Sequence, residues 1–158
     1  MSVFKNILNK FLEVICSVLF AFITAIGTYQ IVVRYVFNSP STVSEELLTY
    51  LFTWLALLAA ALVFGKKDHM RMSFVADKFK GKKAIFMGIV SELLIMIFAV
   101  LVLVYGGASI TKLTATQITA SLGINMSYIY MIIPICGVII TLYGILNIAE
   151  YINKLKNL

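Results

Sequence analysis

The chain has 158 residues, 61% of them apolar and 13% charged, with a mean hydropathy of +1.00. A soluble domain carries about a quarter charged residues, and one this short has no interior able to hide so much apolar surface. Lipid is therefore the expected solvent. The net charge of +6 reads as a topology signal rather than a nucleic-acid face, because the basic residues cluster beside apolar runs.

At the start, Phe4, Ile7, Leu8 and Phe11 recur at helical spacing with Lys5, Asn6, Asn9 and Lys10 opposite. This pattern fits an amphipathic helix over residues 1–12 lying in the membrane interface, or a plain extension of the first span into water. Glu13 falls at the boundary in either case. The apolar stretch that follows is longer than the roughly 7–15 residues of a signal-peptide core, and Arg34, Tyr35, Val36 and Phe37 offer no cleavage site. It reads as a retained helix.

A helical crossing needs about 20 apolar residues, since lipid offers no partner to an unpaired backbone group. Four stretches qualify, at about residues 14–35, 47–65, 84–105 and 128–149. The connections between them are too short to hold a further domain, so the expected fold is all-α, a single four-helix transmembrane domain over residues 1–158. Lys5, Lys10, Lys154 and Lys156 flank the ends, and the loop at 66–83 holds Lys66, Lys67, Arg71, Lys78, Lys80, Lys82 and Lys83. The other two connections carry only Arg34 and Lys112. This bias places both termini and the basic middle loop in the cytoplasm, and four spans require the termini to share a side.

The connection before the second span, from Arg34 to Glu46, contains Pro40, which stops a continuing helix. Thr42 with Glu45 three residues on makes a capping-box signature, and Glu45 and Glu46 suit the positive end of the second helix. Arg34 beside the two acids can also form a small ion network that braces the helix pair or faces a partner. Small residues form stripes for close helix approach: Ser17, Ala21, Ala25 and Thr28 in the first span, and Ala56 and Ala60 in the second. A third stripe, Gly137, Thr141 and Gly144, follows the helix-kinking Pro134 in the fourth. The stripes do not say whether they pack internally or against another protein.

Chemistry is sparse. His69 is the single histidine, no GxxxxGK[ST] phosphate loop occurs, and no serine or cysteine has a base partner in sequence, so neither catalysis nor a metal or cofactor site is expected. Cys16 and Cys136 fall inside apolar runs and read as core residues. Glu92 is the one deep acid, about 12 Å into the third span at ~1.5 Å per residue. It reads either as a coupling site or as a structural contact with His69, a lysine of the basic loop or a partner subunit.

Arg34, Tyr35 and Phe37, then Glu45, Glu46 and Leu47, resemble the RY-x-F and W-x-E-E-L signatures of the DctQ-like small membrane subunits of tripartite ATP-independent periplasmic (TRAP) transporters. Val43 stands at the tryptophan position. The aromatic body around Trp54 and the stretch His69, Met70, Arg71, Met72 and Ser73 also resemble the family, with serine where aspartate is common. Gln117, Leu122, Gly123, Ile124, Met126, Pro134 and Gly137 follow in the family's order. The resemblance implies an accessory subunit of the bacterial inner membrane that packs on the scaffold of a large membrane subunit. That large subunit would bind sodium and an organic acid of the C4-dicarboxylate or sialic acid type. A periplasmic binding protein would deliver the acid, with lipids at the subunit interface. Arg34, Tyr35, Glu45, Glu46, Trp54, His69, Arg71, Glu92 and Pro134 are the candidates for interface or structural network. The competing readings are a self-contained ion-coupled transporter acting as a homodimer, with Glu92 or Glu13 as its acid, and a non-transporting membrane anchor.

Overall fold

The computed structural model describes residues 2–66 and 82–156. Four helical stretches are long and apolar enough to cross a membrane, and no β-strand occurs among the described residues. Helix α1 spans Ser2–Tyr35 and α2 spans Thr42–Lys66. The third stretch begins as α3 (Lys82–Phe98), widens into a π-helical segment at Ala99–Gly106, and continues as α4 (Gly107–Leu113) and a 3₁₀ turn at Thr114–Thr116. The fourth is α5 (Met126–Tyr130) and α6 (Ile132–Lys156), with a break at Met131.

These elements correct several expected limits. The first helix is continuous from Ser2, so residues 2–12 are its opening turns rather than a separate element. Its 34 residues measure about 51 Å, well beyond a hydrocarbon core of about 30 Å. The third helical stretch runs to Thr116, past the expected end at 105, because Gly106 and Gly107 both stay right-handed. Proline causes the break in the fourth span. Pro134 has no N–H for the carbonyl four residues back, at Tyr130, and the helix interrupts beside that residue.

The capping residue of α2 also differs from expectation. Thr42 is already helical, and it is Ser41 that caps: its Oγ accepts the N–H of Ser44 at 3.4 Å and the Ser44 hydroxyl at 3.0 Å. Ser41 holds the position where a side-chain oxygen reaches the third helical N–H; Thr42 lies one residue too far in. Before it, α1 ends where Asn38 takes a left-handed conformation (φ 50°) and the Ser39 N–H bonds the Val33 carbonyl at 3.2 Å.

The fourth span is the hub. Within its apolar eighteen-residue stretch 39% of the residues are buried, against 11%, 11% and 6% for the first, second and third spans. One core cluster joins α1, α2 and α6 through Leu12, Leu58, Ile132, Cys136 and Tyr143, with Cys16 and Trp54 packed against it. A second joins α2, the π segment and α6 through Ala61, Ala99 and Ile140. Both cysteines are free thiols.

Candidate functional site

The polar side chains gather at two ends of the bundle. At one end, the first three turns of α1 present Lys5, Asn9 and Glu13, each four residues apart, to the other helices. The Lys5 ammonium donates to Asn147 Oδ1 at 2.9 Å and lies 3.8 Å from the Glu150 carboxylate. Asn147, only 1% exposed, passes the contact on by donating from Nδ2 to Glu92 Oε1 at 3.1 Å. One turn further, the hydroxyl of the fully buried Tyr143 donates to Asn9 Oδ1 at 2.6 Å, and Glu13 pairs with Lys66 at 2.5 Å.

This arrangement inverts part of the sequence expectation. Lys5 and Asn9 turn toward the bundle, while Phe4, Ile7 and Phe11 are exposed. The reason is that α6 and α3 carry polar groups in this layer, and a buried amide such as that of Asn147 is costly unless partnered. Both acids considered as coupling groups are held inside the chain, Glu92 by Asn147 and Glu13 by Lys66. Sequence patterning marked Glu92 but missed Lys5, Asn9 and Asn147, since two asparagines in apolar runs look like interruptions; their helical registers opposite one another were the only available sign. His69 and Arg71 lie outside the described residues.

At the other end Glu46 holds a loop. Its Oε2 accepts the backbone N–H groups of Ser121 at 2.7 Å and Leu122 at 2.9 Å, and its Oε1 accepts the Tyr50 hydroxyl at 2.7 Å. The loop at 117–125 is itself tightly bonded. The Thr119 N–H reaches Ile124 O at 2.8 Å, Met126 N–H reaches Gln117 O at 2.9 Å, and Ile124 N–H reaches Thr119 Oγ1 at 3.0 Å. Gly123 supplies the positive φ of 67° that the reversal needs. Asn125 caps α5 by accepting the Ser127 N–H at 2.9 Å and also donates to Ala115 O.

The two acids at the start of α2 therefore separate. Glu45 pairs with Arg34 at 3.6 Å, both about half exposed, while Glu46 serves the loop. Tyr35 is exposed. Trp54 reaches across to the fourth span, its indole N–H donating to the Ile129 carbonyl at 3.0 Å, just before the break that Pro134 imposes. Sequence reading could find Glu46 as a capping acid but not its loop, which lies 75 residues away.

The small-residue stripes divide as well. Gly137 and Gly144 are buried against the third span: a Cβ on Gly137 would lie 2.7 Å from Leu103 Cβ, and one on Gly144 would lie 3.6 Å from Met96 Cβ. The Thr141 hydroxyl bonds back to the Gly137 carbonyl at 2.8 Å. By contrast Ser17, Ala21, Ala25 and Thr28, and likewise Ala56 and Ala60, are exposed on the outside of the bundle. At ~100° per residue the α1 stripe lies opposite the face of Leu12, Leu19 and Ile23 that packs inward.

The profile of the family described as "Tripartite ATP-independent periplasmic transporters, DctQ component" matches residues 23–154, including both polar clamps apart from the first turns of α1. The chain belongs to this family. It is thus a subunit of a transporter permease rather than an enzyme, and a multi-pass membrane protein. It is 31% identical over 136 residues to the sialic acid TRAP transporter small permease protein SiaQ of Vibrio cholerae, covering 85% of this chain and 77% of that one. A putative TRAP transporter small permease protein of Haemophilus influenzae is 36% identical over 73 residues, 46% of this chain and 45% of the relative. The sialic acid TRAP transporter permease protein SiaT of Haemophilus influenzae is 27% identical over 132 residues, which is 84% of this chain but 21% of that longer one.

Proposed function

We propose that this TRAP small permease subunit packs on the fixed scaffold of a large permease subunit in the bacterial inner membrane, with both termini in the cytoplasm. The observation that carries the reading is the pair of exposed small-residue faces on α1 and α2. In lipid, helices associate by close backbone approach rather than by hydrophobic force, and small residues permit that approach. The relationship to the longer permease SiaT fits a small subunit and a large one that work as a unit. The basic residues of the 66–83 loop and of the chain ends support the cytoplasmic placement.

In this reading the substrate is an organic acid. The Vibrio relative favours a sialic acid, with a C4-dicarboxylate as the alternative. Substrate and sodium bind on the large subunit, and lipids fill the seam between the two subunits. The loop at 117–125, held by Glu46, stands on the periplasmic side, where the binding protein docks. Arg34 and Glu45 edge the same surface, and Trp54, Pro134 and Glu92 maintain the bundle. Liposomes containing this chain alone should show no uptake, and addition of the large subunit and the binding protein should restore it under a sodium gradient. Sodium- or proton-driven uptake by this chain alone would overturn the reading.

A further inference from the structure

Two ion pairs mark how far the first two helices run through lipid. Glu13 meets Lys66 at one end and Arg34 meets Glu45 at the other, all four side chains about half exposed. The pairs stand twenty-one residues apart on α1 and on α2 alike, about 31 Å at ~1.5 Å per residue. That matches a hydrocarbon core of about 30 Å. Lys66 also ends α2 and opens the basic loop. The Glu13–Lys66 level is therefore one edge of the slab, the cytoplasmic edge in the orientation proposed above.

Helix α1 begins well outside that edge. Phe11, Ile7 and Phe4 lie about 3, 9 and 14 Å beyond Glu13 along the helix, and they are 61%, 63% and 55% exposed. The headgroup layer adds only about 5–8 Å on each side. A helix that seats such side chains in the interface lies flat, with its polar face to water. Here the helix continues straight into the first span and its faces are reversed. Lys5 and Asn9 are tied inward to Asn147 and Tyr143 of α6, and the aromatic face points away from the bundle. Neither hydrocarbon nor headgroups cover Phe4 and Ile7 in this posture. Apolar groups gathered on one exposed face outside lipid mark a contact surface.

That face runs on into the membrane. Phe4, Ile7, Phe11, Val14 and Val18 alternate three and four residues apart and continue in step into Ala21 and Ala25 of the small-residue stripe. An alternation sustained over three heptads is the seam along which one neighbouring helix packs.

We propose that the first three turns of α1 dock, outside the membrane, on a helix of the large permease subunit that leaves the bilayer alongside α1. This docking rests on the assembly proposed above and carries its contact beyond the lipid. The partner helix comes closest at Ala21 and Ala25, and its protruding turns present an apolar face to the two phenylalanine rings.

Photocrosslinking in the complex with the large permease subunit, held in lipid nanodiscs, tests this. A benzoylphenylalanine placed at Ile7, or within the slab at Val18, should cross-link to the large subunit. If Val18 reaches that subunit while Ile7 reaches only lipid or this chain itself, the docking is overturned and the assembly stands. Failure at both positions overturns both. A second variant, Phe4→Glu with Ile7→Glu, alters only exposed side chains, and negative charge suits the start of a helix. The isolated chain should keep its melting temperature, while co-purification with the large subunit falls at least tenfold. Undiminished co-purification would likewise overturn the docking.

Discussion

The first and fourth spans are equally suited to lipid, with hydropathies of 2.1 and 2.3, and each carries a stripe of small residues. Yet the fourth is the hub of the bundle and the first lies at its edge. Gly137 and Gly144 meet the third span at distances that leave little or no room for a side chain, whereas Ala21 and Ala25 are exposed. Apolarity says that a helix enters the membrane. Only the neighbours that a small residue admits say which side of it is covered.

The sharpest way to break this contrast is to fill the hub. Gly137→Leu should destabilise the bundle by about 3 kcal/mol, because its Cβ alone would lie 2.7 Å from Leu103 Cβ and 2.9 Å from the Val104 backbone. Thermal unfolding in detergent measures this, and a melting temperature like that of the wild type would dissolve the distinction between the two stripes. Asn147→Leu comes next, at about 2 kcal/mol, since the buried amide links Lys5 to Glu92. The loss should be smaller when Lys5→Met accompanies it, which a double-mutant cycle would register.

Glu46→Gln should loosen the seating of the loop on α2. The amide keeps one oxygen acceptor but cannot serve the Tyr50 hydroxyl and both loop amides as the carboxylate does. Its effect should appear as faster exchange at Ser121 and Leu122, and protection equal to wild type would remove the clamp from the account. Breaking the exposed Arg34–Glu45 pair should change stability by no more than about 0.5 kcal/mol.

The smallest expected effect on the isolated chain comes from the edge helix. Ala21→Leu with Ala25→Leu should shift its stability by less than about 0.5 kcal/mol while abolishing co-purification with the large permease subunit in mild detergent. Retained co-purification would leave lipid as the neighbour of that face.

Much of the architecture was present in the sequence alone. Four spans follow from hydrophobic length, because lipid forces every backbone group into an internal hydrogen bond, and the family resemblance carried by Arg34, Tyr35, Glu45, Glu46 and Leu47 agrees with the matched profile over 23–154. Local chemistry announced that Pro134 would disturb its helix and that a cap would precede Glu45, though the cap fell on Ser41. What the tertiary structure decided were the pairings between residues far apart in the chain: Lys5 with Asn147, Asn9 with Tyr143, Glu46 with Ser121 and Leu122, Trp54 with Ile129. It also decided that one small-residue stripe is buried and another exposed. The physical reason is common to both. Composition and periodicity determine which groups need a partner, while the identity of that partner depends on how helices are placed side by side.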